Sequence, residues 1–253
     1  MGNIDYAILY AIAFVLAFLI AFFATPLAKK IAFKVGAIAK PRKRDMHKVP
    51  IPRMGGIAIF AGFMITFLTL IWKLPLVNIK QTIGIFIGCT MIFLLGFFDD
   101  IFELPAKPKF LIQILAATVV ALCGVRIDFF TIPFIGDKEF YTTFLAIPAT
   151  VIWIVAITNA VNLIDGLDGL AAGVSSIASL CLMVLSIYSD NPPGAFLTAI
   201  LAGSCMGFLP YNFNPASIFM GDTGSTFLGF TLGITSVMGL LKGYTVATIF
   251  IAV

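Results

Sequence analysis

Apolar residues in this chain run in long blocks, broken at fairly even intervals by short polar or Pro/Gly-rich segments. A helix needs about 20 mostly apolar residues to cross a bilayer. Blocks of that kind occupy roughly 5–27, 54–72, 82–98, 109–127, 143–158, 170–188, 194–210 and 226–241, and a ninth begins near Tyr244. No internal repeat, low-complexity stretch or segment suited to a soluble domain interrupts them. The pattern predicts an all-α, polytopic transmembrane helical bundle, a single integral membrane domain over 1–253 with about eight full spans and a truncated ninth.

Length alone leaves one large or two small domains open, and composition decides the class. Sixty per cent of the residues are apolar and 11% are charged, against about 25% charged in a soluble domain. Lipid must therefore be the solvent for much of the surface. Cys89, Cys123, Cys181 and Cys205 are scattered through apolar runs, and His47 is the sole histidine. That spacing suits small buried residues rather than a disulfide frame or a zinc site.

The net charge of +4 comes largely from one stretch, Lys29 to Arg53. A short basic loop between apolar runs sets membrane topology and gives no reason to expect a nucleic-acid partner. Asp5 precedes the first block while Lys29 and Lys30 follow it, the reverse of a cleavable signal. This order predicts an N-terminus outside. The inner connections are then Thr25–Arg53, Asp99–Pro108, Asn159–Gly169 and Tyr211–Ser225. With Lys109 counted at its boundary, eleven basic residues fall inside and five outside, as the positive-inside rule requires. The same parity puts Asp99, Asp100, Asp165, Asp168 and Asp222, from three separate connections, on the inner face.

Those connections carry the candidate chemistry. Phe97-Phe98-Asp99-Asp100 places two adjacent carboxylates at the end of an apolar run. Read alone, the pair is a solvated stop signal more readily than a site for Mg²⁺, a hard cation that takes carboxylate and phosphate oxygens. In the segment 159–169, Asn159, Asn162, Asp165 and Asp168 recur every third position. On a helical or 3₁₀ turn they share one side, and a helix cap would need only one of them. Gly166 and Gly169 would let a ligand approach the backbone. In the segment 211–225, Asp222 lies between two glycines with the hydroxyls of Thr223 and Ser225 nearby, and Phe219 or Phe213 could stack on a base. A helix starting there would favour a phosphate at its N-terminus, although a loop with a capping aspartate explains that segment equally well. In the basic loop 40–56, headgroup anchoring accounts for most charges, while Lys48 and Arg53 are placed to meet phosphates, as are Lys107 and Lys109. Together these are parts for phosphoryl chemistry, which needs mainly positioning and charge neutralisation.

At these motifs the chain resembles the polyprenyl-phosphate N-acetylhexosamine-1-phosphate transferases, a superfamily that includes phospho-N-acetylmuramoyl-pentapeptide transferase. The matching segments are PIPRMGG at 50–56, GFFDD at 96–100, NAVNLIDGLDGL at 159–170 and FMGDTGS at 219–225. PIPRMGG and the Ile of NLIDG are closer to the branch that uses UDP-N-acetylglucosamine. The resemblance implies attack of undecaprenyl phosphate on the donor's β-phosphate, with UMP leaving, at the cytoplasmic face of a bacterial inner membrane. It implies Asp99, Asp100 and Asp222 as catalytic residues and Mg²⁺ (or Mn²⁺) held by Asp222 and Asp100. Asn162, Asp165 and Asp168 correspond to polar site residues, Lys109 to a phosphate-facing lysine, and Asn212 and Phe219 to uridine contacts, with Asn159 of the same stripe taken as a further substrate-binding residue. Lys48 and Arg53 complete the substrate-binding set, and a homodimer is the assembly the resemblance suggests. The muramoyl-pentapeptide reaction and, from another class, a secondary transporter are the competing readings. Family members carry a later cytoplasmic loop rich in histidine, whereas no histidine follows His47 here. The run Tyr244 to Val253 gives only about 15 Å of helix. The expectation is a chain that lacks C-terminal helices and that loop, and that is weakly active or inactive as it stands.

Overall fold

In a computed structural model of the chain, the described residues are 3–39, 50–74, 78–127, 129–131, 139–141 and 144–240. Eight α-helices fall on the eight apolar blocks: α1 (Asn3–Val35), α2 (Gly56–Leu70), α3 (Ile79–Phe102), α4 (Ala106–Leu122), α5 (Ala146–Ile164), α6 (Leu170–Tyr188), α7 (Pro192–Asn212) and α8 (Gly221–Leu240). Helices α1, α3, α5, α6 and α7, and α2 together with the 3₁₀ turn Ile71–Lys73 that continues it, are both long and apolar enough to cross a bilayer. The protein is thus a polytopic helical membrane bundle. The ninth run, from Tyr244, lies outside the described residues.

The bundle is organised around α7 and α8. Helix α7 packs between α1, α6 and α2, while α8 packs against α5, α3, α6 and α2. Of the apolar stretch of α7, 78% is buried inside the bundle, against 22% for α1, which makes α7 a core element and α1 a lipid-facing one. Small residues permit the close approach. Ala13, Ala17 and Ala21 of α1 are fully buried. A Cβ at Gly203 or Gly207 of α7 would lie 2.3 Å from the carbonyl oxygens of Phe14 and Phe18. In lipid, where no hydrophobic force distinguishes helix from solvent, such backbone contacts are a main source of helix association. Large apolar side chains such as Phe23, Ile83, Leu115 and Ile177 point outward instead.

Two short antiparallel pairs break the all-helical pattern. Strands β1 (Ile38–Ala39) and β2 (Ile51–Pro52) pair Ile38 with Pro52 and Ala39 with Ile51. They close the base of the basic loop, whose residues 40–49, including His47 and Lys48, lie outside the described residues. Strands β3 (Phe129–Thr131) and β4 (Glu139–Tyr141) form the second pair. Each strand is only two or three residues long, too short to leave an alternating signal in the sequence.

Candidate active site

The ends of α3, α5 and α7 and the starts of α2, α4, α6 and α8 meet at one pole of the bundle, and the start of α8 is its centre. Residues 52–56 lie beside residues 219–221: Phe219 N donates to Pro52 O, Gly55 N to Phe219 O and Gly56 N to Met220 O. This pairing fixes where α8 begins. Glycine is required at the contact, since a Cβ on Gly56 would lie 2.1 Å from Gly224 N and one on Gly96 would lie 2.5 Å from Asp222 O. Gly221 enters the helix at φ +72°, a conformation that L side chains resist.

Asp100 completes the clamp. Its Oδ1 accepts from Asp222 N at 2.9 Å and its Oδ2 from Thr223 N at 3.0 Å and from the Thr223 hydroxyl. A buried carboxylate on the exposed N–H groups of a helix N-terminus is well stabilised by the helix dipole. Asp100 therefore anchors α8 across the bundle. The sequence set the Thr223 hydroxyl beside Asp222; the structure gives it to Asp100, and gives Ser225 Oγ to Asn162.

Asp99 and Asp222 face each other across one ammonium group. Lys109 Nζ donates to Asp99 Oδ2 at 2.8 Å and to Asp222 Oδ2 at 3.1 Å. Asp99 Oδ1 accepts from Leu104 N at 2.7 Å, and Asp222 Oδ1 from Asn162 Nδ2 at 2.9 Å. The Asp99 side chain is 4% exposed and that of Asp222 34%, so Asp222 presents the accessible carboxylate. Asp99, Lys109, Asn162 and Asp222 thus converge from α3, α4, α5 and α8.

The polar stripe of 159–168 divides at the end of α5. Helix α5 stops at Ile164, and Gly169 enters α6 at φ +73°. Asn159 and Asn162 stay on the helix, Asp165 is its C-cap, and Asp168 turns away to accept from Asn214 Nδ2 at 3.1 Å and Ala216 N at 3.0 Å. The expectation that all four share one side is corrected accordingly, the cause being the two glycines. Asn212, 3% exposed, accepts from Gly169 N and donates to Ile218 O. Asp168 and Asn212 are in this way brackets between the α5–α6 and α7–α8 turns. Arg53 Nη2 reaches Asp100 O at 3.2 Å and Glu103 Oε1 at 2.8 Å, tying the start of α2 to the end of α3. Phe219 is half-buried with its backbone engaged in the same junction.

Two participants were not singled out in the sequence. Glu103 is the acidic partner of Arg53. Gln113, 3% exposed, accepts from Asn159 Nδ2 at 2.7 Å, one turn of α4 beyond Lys109. A lone amide inside an apolar block was the available signal for Gln113.

Asp165 has the least compensated charge. No hydrogen-bond donor among the described residues reaches its carboxylate. Burial first, then the charges of Asp222 and Asp100, push its pKa up to about 7. Between the ordinary carboxylate range and that value the native state holds a proton that the unfolded chain has released, so stability falls as pH rises through this window. Asp165→Asn is expected to raise the unfolding temperature at pH 8 without divalent cations, by a few degrees at about 2–4 °C per kcal/mol, and to change it little at pH 4. An equal shift at both values would contradict the assignment.

A half-buried carboxylate without a donor among the described residues, and raised by the charges of two others, is suited to a cation. The surrounding donors are carboxylate, amide and hydroxyl oxygens, which fit Mg²⁺ or Mn²⁺ rather than a soft metal. No three Asp, Glu, His or Cys side chains among the described residues close around a point. Mg²⁺ is usually held by one or two carboxylates with waters and substrate phosphates, so a third protein ligand is not required.

Residues 82–240 match the glycosyl transferase family 4 profile. The chain is 42% identical over 229 residues to a probable undecaprenyl-phosphate N-acetylglucosaminyl 1-phosphate transferase of Bacillus subtilis, covering 90% of this chain and 63% of that protein. It is 38% identical over 226 residues to a decaprenyl-phosphate N-acetylglucosaminephosphotransferase of Mycolicibacterium smegmatis, with 84% and 55% covered. A phospho-N-acetylmuramoyl-pentapeptide-transferase of Staphylococcus epidermidis is 34% identical over 228 residues, with 84% and 70% covered. The chain therefore spans less than two thirds of the length of the first two relatives. With its helices, its acidic pole and a profile match over well more than half of its residues, the chain belongs to glycosyl transferase family 4.

Proposed function

We propose that this protein transfers N-acetylglucosamine 1-phosphate from UDP-N-acetylglucosamine to undecaprenyl phosphate, giving undecaprenyl-diphospho-N-acetylglucosamine and UMP. The observation that carries the reading is the convergence of Asp99, Lys109, Asn162 and Asp222, with Asp165 beside them, at one pole of a membrane bundle. A lipid phosphate is confined to that depth, and a soluble nucleotide sugar reaches it from water. The branch is supported by the two N-acetylglucosamine relatives and by PIPRMGG at 50–56.

In this reaction an oxygen of the lipid phosphate forms a bond to the donor's β-phosphorus. The bond from that phosphorus to the bridging oxygen breaks, and UMP keeps the electron pair. A phosphate monoester is largely dianionic near neutrality, its second pKa being about 6, so no strong base is needed. Asp222 and Asp165 would hold Mg²⁺, in place of the Asp222 and Asp100 that the resemblance implies, because both Asp100 oxygens accept from the start of α8; when bound, the ion supplies charge neutralisation at the diphosphate. Lys109 adds a cation beside the same oxygens, and Asn162 fixes the Asp222 carboxylate. Asp100 acts one step back, by holding the start of α8. The basic excess of residues 29–53 favours a cytoplasmic active face in a bacterial cytoplasmic membrane.

Transport is the weaker reading. Transport sites lie near the midplane between repeated halves, while these acids gather at helix ends. The choice of donor is tested with the full-length protein in nanodiscs containing undecaprenyl phosphate, offered UDP-N-acetylglucosamine or UDP-N-acetylmuramoyl-pentapeptide. Lipid-linked product is expected from the first donor, at a rate at least about 10²-fold higher. Product from the second alone would move the protein to the muramoyl branch. Donor accumulation in sealed vesicles without bond cleavage would favour transport.

A further inference from the structure

Lys109 bridges two carboxylates that belong to different helices. Its Nζ lies 2.8 Å from Asp99 Oδ2 and 3.1 Å from Asp222 Oδ2. The two acids are fixed, each by a second donor on its other oxygen, Leu104 N for Asp99 and Asn162 Nδ2 for Asp222. Lysine differs in this respect. Its side chain is a flexible four-carbon stem, here 28% exposed and rooted in the first turn of α4. In the arrangement seen, the ammonium sits on the accessible Asp222 carboxylate, while Asp165, close enough to feel the Asp222 charge, has no hydrogen-bond donor among the described residues.

A divalent cation drawn to Asp222 and Asp165 would meet this ammonium on the same carboxylate. Like charges at that separation repel strongly inside a protein, and the lysine is the partner free to move. We propose that Lys109 is the resident counter-ion of the Asp99–Asp222 pair, that it competes with a divalent cation for Asp222, and that binding of the cation releases its ammonium towards the phosphates of the substrates. The last step rests on the transferase reading; the competition does not. It also reconciles the phosphate-facing role that the resemblance implies for Lys109 with its position between two carboxylates.

The test is equilibrium binding of Mn²⁺ alone to the purified full-length protein, followed by loss of the free-ion paramagnetic resonance signal. Wild type, Lys109→Met, Lys109→Arg and Asp222→Asn are compared at pH 7.5 without substrates. Lys109→Met is expected to bind Mn²⁺ at least about fivefold more tightly, because a competing charge is removed. Lys109→Arg keeps the charge and is expected to stay within about twofold of wild type. Asp222→Asn added to Lys109→Met is expected to abolish the gain. Lys109→Gln serves in place of Lys109→Met if that variant does not give monodisperse protein. Unchanged or weaker binding in the variant without the charge, or no binding by any of the proteins, would overturn the proposal. Tighter binding in Lys109→Met, with wild-type protein that forms no lipid-linked product from either donor, would keep the competition and refute the transferase reading.

Discussion

Replacing Asp222 with Asn is expected to lower the rate of transfer by about 10²–10³-fold, the usual effect of removing one preorganised charged group from a site, while leaving the protein folded. The separation of the two effects follows from what each part of the residue does. The backbone N–H of Asp222 is held by Asp100 and fixes the start of α8; its carboxylate instead accepts from Lys109 and Asn162 and is a third exposed. Asn has the same shape and can still accept one hydrogen bond, but it lacks the charge that Lys109 and a cation share. Rates of product formation and thermal unfolding, measured on the same preparations, check both halves. A variant retaining a third or more of wild-type activity would remove Asp222 from the centre of the site. A variant that unfolds would make its carboxylate structural.

A larger disturbance is expected from a single methyl group at Gly96. This residue lies on α3, one turn before Asp99 and Asp100, where the helix touches the backbone of α8. A Cβ there would stand 2.5 Å from both Asp222 O and Thr223 Cα. Neither neighbour is the movable end of a side chain, so α3 and α8 must separate. Overpacking of this kind costs about 1–3 kcal/mol, and a misplacement of about 1 Å in a catalytic group costs about 10²-fold in rate. Gly96→Ala is therefore expected to lose both stability and activity. Gly173→Ala is the control, because a Cβ at Gly173, on α6, meets nothing within 4 Å. It is expected to be neutral or slightly stabilising, as Ala favours a helix over Gly. Equal behaviour of the two variants would show that the α3–α8 contact does not position the site.

The contrast between these residues marks what could be read from sequence. The helices were legible because apolarity over about 20 residues is a local property, and the common pole of the acids followed from counting spans. The partners of those acids were not legible. Asp100 meets Asp222 N across 122 positions, and Asn212 meets Gly169 across 43; nothing local tells an acid that anchors a helix from one that faces a substrate. Asp99 and Asp100 are adjacent in sequence, yet one engages Lys109 and the other the N-terminus of α8. The stripe of 159–168 misled for a different reason. Its three-residue period assumed a turn continuing to Asp168, but Gly166 and Gly169 already signalled that the helix would end. Arg53 carried charge suited to a phosphate, while Glu103, which engages it, sits beyond the acidic pair at φ +51° as the cap of α3.

The most direct test of the proposed reaction is UMP release from UDP-N-acetylglucosamine by the full-length protein in membranes, with undecaprenyl phosphate and Mg²⁺ each supplied or withheld. Release that requires both, and that disappears in Asp222→Asn, is the expected result. Folded protein that releases no UMP with either this donor or UDP-N-acetylmuramoyl-pentapeptide, or that releases UMP without the lipid, would contradict it.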